Sequence, residues 1–302
     1  MNSEYLTKVA NKKGYLDGEI TREWLHTFSG AFLSKYPKNS ATLDRFRGLL
    51  GHIPTWEDIT DINLKDLKDE LLRVHCANTA HTELALFKAV LNENIDIIEF
   101  PSRRYAKILK CRKEDSQSIY ITDEEIQKLD EYVPKDDAEA FVKKCFMIET
   151  LTGARNSDSE RMTTENVNGN LLTYVQQKTK HKVTLPVYHL LTKYLNQKTK
   201  LTEYSNFNRK LKEICKNIGM TQQVTLFKAG RIQTLPKYMF AMSHTGRRTF
   251  CTRLAMKGCR LERISMMAGH LNGNQPNTEM TKKYIKEWKP IDDSVVQLFN
   301  DL

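Results

Sequence analysis

A mainly α-helical chain with one small β-hairpin is the fold class that the sequence predicts, as an all-helical first domain and a mixed α+β second domain. Three observations predict it. Residues 21–94 carry apolar side chains at helical spacing. Residues 101–118 form a strongly basic joint. Residues 171–187 hold two β-rich runs around a Lys-Thr-Lys-His-Lys tip. At 302 residues the chain is long for one core and comfortable for two domains.

Residues 1–20 are polar and interrupted by Gly14 and Gly18, which predicts a loose arm or a short lead-in. Trp24, Leu25, Phe28 and Phe32 predict a helix. Thr60 can cap another, in which Leu64, Leu67 and Leu71 share one face. Thr79 or Thr82 can start a further one, with Leu84, Phe87, Val90 and Leu91 on its apolar side. Pro37 and Pro54 punctuate between them, so the first domain, residues 1–110, is expected to hold about four helices. Pro101 to Ser118 is the expected joint, with 111–118 as its linker. Arg103, Arg104, Lys107, Lys110, Arg112 and Lys113 all precede the first acid, Glu114. A charge run is usually a solvated face; between two domains of a basic protein it is also a candidate strap along a phosphate backbone.

The second domain, residues 119–302, opens with the capping box Thr-Asp-Glu-Glu at Thr122–Glu125. Ile126, Leu129 and Val133 form its apolar stripe. A buried helix is expected over Ala138–Thr150, with Phe141, Val142, Cys145, Phe146 and Ile148, ended by a left-handed Gly153. Leu171–Gln176 and Val183–Val187 form the hairpin, with Lys178, Lys180, His181 and Lys182 at its tip. Helices follow near Tyr188–Asn196 and Asn206–Ile218, and residues 219–240 read as irregular. Helices are expected over Arg247–Lys257 and Leu261–Ala268, then a polar loop at 271–277 and a tail through Tyr284 and Trp288. Beyond it, Val295, Leu298, Phe299 and Leu302 share a helical apolar face that would pack on a neighbouring subunit or in cis.

The net charge of +10 favours polyanions, nucleic acid first and anionic membrane second. No apolar run approaches the roughly 18 residues of a membrane span, and the N-terminus lacks the apolar core of a signal peptide. The six cysteines are scattered, with no Cys-x-x-Cys pair, and read as reduced thiols of a cytosolic protein. There is no Gly-x-x-x-x-Gly-Lys-Ser/Thr loop for ATP and no zinc-ligand spacing, so neither a cofactor nor a metal is expected.

Chemistry concentrates in Ser243–Tyr284. This stretch holds His244 and Arg247, then His270 after a glycine, then Tyr284. Such a set suits transfer of a phosphoryl group to a tyrosine hydroxyl. A phenol with a pKa near 10 needs help to ionise. Guanidinium groups match the charge that grows on the non-bridging oxygens. A departing 5′ oxygen needs a proton from a general acid.

The segments LTGARNSD, QQKTKHKVTLP, SHTGRRTF, AGH and TKKYI, in that order, resemble the successive motifs of the tyrosine recombinase (lambda-type integrase) family. More weakly, TWEDIT and TELALFKAVLN are similar to the core-binding domain of phage and conjugative-transposon integrases. The resemblance implies a helical core-binding domain, a catalytic domain and a C-shaped clamp on double-stranded DNA. It implies strand exchange through a covalent 3′-phosphotyrosine and a Holliday junction, by a homo-tetramer on paired sites. Mobile-element integration or excision, with accessory DNA-bending or excision factors, would be its setting. The protein would be cytoplasmic, associated with the bacterial nucleoid and not with membrane. On this resemblance the sequence is expected to lack the extra arm-type domain of some integrases and to be similar to the minimal two-domain members.

Carried over by position, Arg155 and Arg247 would clamp the scissile phosphate and Asp158 would buttress an active-site arginine. Lys178 would be the general acid, with Lys180 and Lys182 as competitors for the role and as DNA contacts. His244 would donate to the phosphate or take the tyrosine proton, and His270 would hydrogen-bond the phosphate. Tyr284 would be the nucleophile, with Tyr238 as fallback. Arg248, one position after Arg247, is expected to face away. The spacing from His270 to Tyr284 exceeds the family's usual one, which predicts a long polar loop, mobile until DNA is bound. The alternatives are type IB topoisomerase-like relaxation, a non-catalytic DNA-binding regulator on the same fold, and a metal-dependent transposase. The last needs a carboxylate cluster, and Asp136/Asp137 and Asp292/Asp293 read as solvated loop pairs.

Overall fold

The computed structural model describes residues 3–199 and 206–286. The chain divides into two units. One is Met1–Ser116 with Phe227–Arg231, the other Gln117–Leu226 with Ile232–Leu302.

In the first unit, α1 (Ser3–Lys12) replaces the loose arm expected at the N-terminus, because Leu6 and Ala10 lie one turn apart and are buried in the unit's core. The helix expected around Trp24–Phe32 is split into α2 (Arg22–His26) and α3 (Phe28–Lys35). Thr27 makes the break. Its extended backbone ends α2, and its hydroxyl accepts the Gly30 N–H at 3.0 Å to cap α3. Then come α4 (Ser40–Leu50), α5 (Asp61–Val74) and α6 (Ala77–Asn94). Thr60 caps α5 through the Asn63 N–H. Helix α6 starts earlier than expected, on Cys76. Phe28, Phe32, Phe46 and Phe87 meet edge-on or tilted at the centre, with ring centroids 5.1–6.4 Å apart. The first half of the expected joint belongs to this core. There α7 (Tyr105–Ile108) forms, and Phe100, Tyr105 and Leu109 are buried.

The second unit begins with α8 (Asp123–Glu131), whose capping box is complete. The helix stops at Glu131, so Val133 does not join its apolar stripe and is 80% exposed. Helix α9 (Asp137–Thr152) is the unit's axis, and from Phe141 on every residue of it is buried. Its N-cap is Asp136, an exposed carboxylate that accepts the Glu139 N–H and pairs with Lys210 at 2.8 Å. Asp292 and Asp293 lie outside the described residues, as do Trp288 and the tail's apolar face. The axis also buries Lys143, Lys144 and Glu149. Lys143 donates to the Asp130 and Tyr132 carbonyls, closing the end of α8. Lys144 donates to Gln197 O.

After α9 the short α10 (Asn156–Ser159) leads to an antiparallel sheet of β1 (Val167–Asn168), β2 (Leu171–Val175) and β3 (Lys182–Pro186). Thr173 stands opposite Thr184 in the β2–β3 register. Leu172, Tyr174, Val183 and Leu185 face the core. Next are α11 (His189–Leu195) and α12 (Phe207–Asn217). The stretch expected to be irregular is instead a two-stranded sheet, β4 (Gln223–Lys228) and β5 (Arg231–Pro236). Gly230 is not a break but half of a two-residue turn, with φ 54° at Ala229 and 77° at Gly230.

Helix α13 (Ser243–Met256) packs on α9 and starts four residues earlier than expected. The Thr245 hydroxyl accepts the Met242 N–H at 3.1 Å and starts it there. Gly246 is what allows the close packing, since a Cβ there would lie 2.7 Å from the Glu149 Cβ. Helix α14 (Leu261–Ala268) ends on the left-handed Gly269. The long polar loop expected next is a small hairpin of β6 (Leu271–Asn272) and β7 (Gln275–Pro276), followed by α15 (Thr278–Tyr284). Asn277 closes it: its N–H returns to His270 O at 2.7 Å, and its side chain caps α15 through the Met280 N–H. All six cysteines are free thiols. No described helix is long and apolar enough to cross a membrane.

Candidate active site

The second unit holds a cavity of about 470 Å³ lined by Arg155, Lys178, His244, His270 and Tyr284, with Asn156, Thr179, Ser243 and Asn277 among its other walls. Each of these side chains arrives by a local rule. Gly153, left-handed at φ 70°, ends α9 and turns the chain so that Arg155 caps α10 at the cavity wall. The β2–β3 loop presents Lys178. Lys180 and Lys182 do not line the cavity; Lys180 occupies a left-handed turn position, and Lys182 belongs to β3. His244 lies in the first turn of α13. Gly269 delivers His270, and α15 ends on Tyr284.

Arg247 does not line the cavity. It is 1% exposed and lies beneath the wall. Its Nη1 donates to Gly153 O, and its Nε donates to His270 Nε2 at 3.2 Å. The Tyr284 ring covers it, with the guanidinium carbon 5.3 Å from the ring centre. The same ring lies tilted against His270, with ring centroids 4.6 Å apart and the planes at 34°. Two buried guanidinium nitrogens, Arg155 Nη1 and Arg247 Nη2, have no acceptor among the described residues. An unmade hydrogen bond of this kind costs about 1–3 kcal/mol, which an acceptor entering the site would recover.

His270 is buried, and that burial, followed by the charges of Arg247 and Arg155, pushes its pKa down to about 3. It is therefore neutral at pH 7. Its Nε2 accepts from Arg247, so the proton resides on Nδ1, which faces Thr281 Oγ1 at 3.0 Å. Thr281 faces Ser265 Oγ at 2.6 Å, and Ser265 donates to Leu261 O. The relay orients the imidazole as a brace for Arg247, with both ring nitrogens engaged by described residues. Thr281, the first residue of the Thr-x-x-Tyr step, was legible as a motif but not as this brace.

His244 is also shifted down, first by desolvation and then by the charges of Arg248, Arg247, Arg155 and Lys178. Arg248 thus does not face clear of the site. It stands four residues after His244 on the same helix face, is half-buried, and feels the charge of Tyr284. Asp158 is buried and forms no hydrogen bond to Arg155 or Arg247. Its Oδ1 accepts the Gln177 N–H at 2.8 Å and Arg161 Nη2 at 3.1 Å, and its charge favours the cationic form of Arg155. Tyr238 packs against the unit's core and does not line the cavity.

Of the basic residues expected on DNA, Arg103 pairs with Glu99 at 2.6 Å and Arg104 lies 3.9 Å from Asp61. Lys107, Lys110, Arg112, Lys113, Lys180 and Lys182 are exposed.

Glu149 passed unnoticed in the sequence, although a carboxylate inside an apolar helical window was the signal. Fully buried, it accepts from Asn156 Nδ2 at 2.7 Å, while its Oε2 has no partner among the described residues. Desolvation raises its pKa well above the ordinary 4.5, with Glu160 adding to the rise and Asn156 and Arg247 opposing it. A raised folded pKa gives stability that is complete below the unfolded value and is lost as pH rises through the folded value. Glu149→Gln keeps the bond from Asn156 without that dependence. It is expected to melt above the native protein at pH 8, with the gap narrowing toward pH 5. Melting curves at the two pH values check this; a constant gap would contradict it.

A mainly helical unit and a mixed unit that holds this cavity define a tyrosine-type site-specific recombinase. Residues 120–289 match the phage integrase family, and the chain belongs to that family. Among solved structures, a lambda integrase dimer bound to a COC′ core site is 15% identical. It covers 96% of this chain and 98% of that one, with a TM-score of 0.62. A Tn1549 transposon integrase in complex with a circular intermediate DNA is 14% identical over 99% of each chain, with a TM-score of 0.59. A lambda integrase tetramer bound to a Holliday junction is 16% identical over 97% of this chain and 81% of that one, also at 0.59. At such identities the likeness is one of fold. No curated protein is detectably similar in sequence.

Proposed function

We propose that this chain exchanges DNA strands at specific sites through a 3′-phosphotyrosine on Tyr284. The observation that carries the reading is the single cavity shared by Arg155, Lys178, His244, His270 and Tyr284 above the buried Arg247. Tyr284 Oη attacks the phosphorus, and its proton passes to His244, which desolvation and then the neighbouring cations keep neutral and able to accept. The bond from phosphorus to the 5′ oxygen breaks, and that oxygen takes a proton from Lys178 Nζ. Arg155 and Arg247 hold the charge on the non-bridging oxygens through donors that have no acceptor among the described residues. The bond energy stays in the phosphotyrosine, so no ATP is required. A 5′ hydroxyl from the partner duplex then attacks the phosphotyrosine, giving its proton to the now neutral Lys178 Nζ, and the proton on His244 returns to the departing Tyr284.

Two such rounds, by four copies of the chain on paired sites, would pass through a Holliday junction. The lambda integrase tetramer on such a junction supports this arrangement by likeness of fold. The helical first unit (1–110) is the core-binding domain in this reading, 111–118 the linker and 119–302 the catalytic domain. Lys107, Lys110, Arg112, Lys113, Lys180 and Lys182 would lie on backbone phosphates, with Arg103 and Arg104 freed from their acids to join them. The setting is the bacterial nucleoid and a mobile element, with accessory DNA-bending or excision factors.

The test is capture of denaturation-resistant protein–DNA adducts from a pool of random duplexes in EDTA. Adducts at 3′ ends enriched in one sequence are expected. Adducts without an enriched sequence would point to topoisomerase-like relaxation. No adduct at all would leave a DNA-binding regulator or a metal-dependent transposase.

A further inference from the structure

We propose that Gln176 is a positioning residue that latches the Lys178 loop to the turn carrying His270, and so sets where the proton for the leaving group is held. The proposal rests on Lys178 as that proton donor. Lys178 is exposed and makes no hydrogen bond or ion pair with the described residues, so its position is that of its loop. Gln176, two residues earlier, is 0% exposed. Its Nε2 donates to Ala268 O at 3.2 Å, and its Oε1 accepts the Thr179 hydroxyl at 2.5 Å. Only one orientation of the amide serves both contacts, because a carbonyl can accept but not donate.

The site is built around this side chain. A Cβ at position 269 would lie 2.1 Å from Gln176 Nε2 and 2.7 Å from Val183 Cγ2, and Gly269 also has a φ of +63°. Glycine therefore ends α14 there for two reasons: the left-handed turn, and the room the amide needs. Within the loop, the Gln176 N–H donates to His181 O and the Lys180 N–H donates to Gln176 O, both at 2.9 Å. The next residue, Gln177, donates its N–H to Asp158. Lys178 thus stands on a loop fastened to α10 through Asp158 and to the end of α14 through Gln176. Of these two ties, the second joins the proton donor to His270, which braces Arg247.

Leaving-group chemistry separates this role from a merely structural one. When Tyr284 Oη bonds to phosphorus, a departing 5′ oxygen needs the Lys178 proton, whereas a departing 5′ sulfur leaves as thiolate without it. Gln176→Met keeps the volume and loses both hydrogen bonds. On the site recovered in the adduct selection it is expected to cleave the oxygen duplex about 10- to 100-fold slower. On the same duplex with sulfur at the bridging 5′ position it is expected to stay within about threefold of the native protein. Thr179→Val, at an exposed position, breaks one side of the latch and carries the same test should Gln176→Met fail to fold.

Lys178→Ala, run on both duplexes, separates the two ways of failing. If sulfur rescues Lys178→Ala but not the latch variants, or if the latch variants cleave both duplexes at the native rate, the latch is overturned alone. If sulfur does not rescue Lys178→Ala, the proton-donor reading falls and the latch with it.

Discussion

Tyr284→Phe is expected to abolish the covalent DNA adduct while leaving fold and DNA binding intact. Loss of the attacking group in other covalent catalysts reduces turnover by about 10⁶-fold, and a phenylalanine offers no substitute atom. The fold should not notice the change. The Tyr284 ring touches His270 and Arg247 through its face, and both contacts survive in phenylalanine. Adduct gels and a binding isotherm on the same duplex check the two halves of the expectation. An adduct that survives the substitution would move the nucleophile to another tyrosine.

Arg247→Ala is the second large effect, and it should reach both chemistry and stability. Removing one preorganised donor from a developing oxyanion costs about 10²–10³ in rate. Here the same side chain also bonds Gly153 O and His270 Nε2 while 1% exposed. Deleting it leaves a buried carbonyl and a buried imidazole without their donor, a loss of about 3 kcal/mol or more. Arg247→Lys separates the two contributions. The ammonium keeps the charge, but one nitrogen cannot replace a forked group that holds two acceptors in different directions. Arg247→Lys is expected to recover most of the thermal stability and to stay about 100-fold slow in adduct formation. A lysine variant that cleaves at the native rate would remove Arg247 from the phosphate.

Features that depend on a few neighbouring residues were legible in the sequence. The Thr122 capping box, the Thr60 cap and the left-handed Gly153 rest on chemistry within one helical turn, and each stands where expected. The β2–β3 hairpin was legible for the same reason. Features set by distant contacts were not. Lys143, Lys144 and Glu149 break the apolar pattern of α9, and their partners lie 7 to 53 residues away. The bond from Gln176 to Ala268 spans 92 residues, and no local pattern announces it. In β4–β5 a turn glycine was mistaken for a break, and in α13 Gly246 concealed a helix start. Motif order could suggest that Arg247, His270 and Tyr284 belong together. It could not say that the imidazole braces the guanidinium under the tyrosine ring.

The β6–β7 hairpin leaves at His270 and comes back to it, its last bond joining the Asn277 N–H to His270 O. A closed excursion adds contour length without displacement. Residues inserted or deleted at its Gly273 tip change how far the hairpin projects, while α15 starts from the same point. Spacing along the chain between His270 and Tyr284 is therefore a poor ruler for the site, because it measures the size of a detour whose two ends coincide.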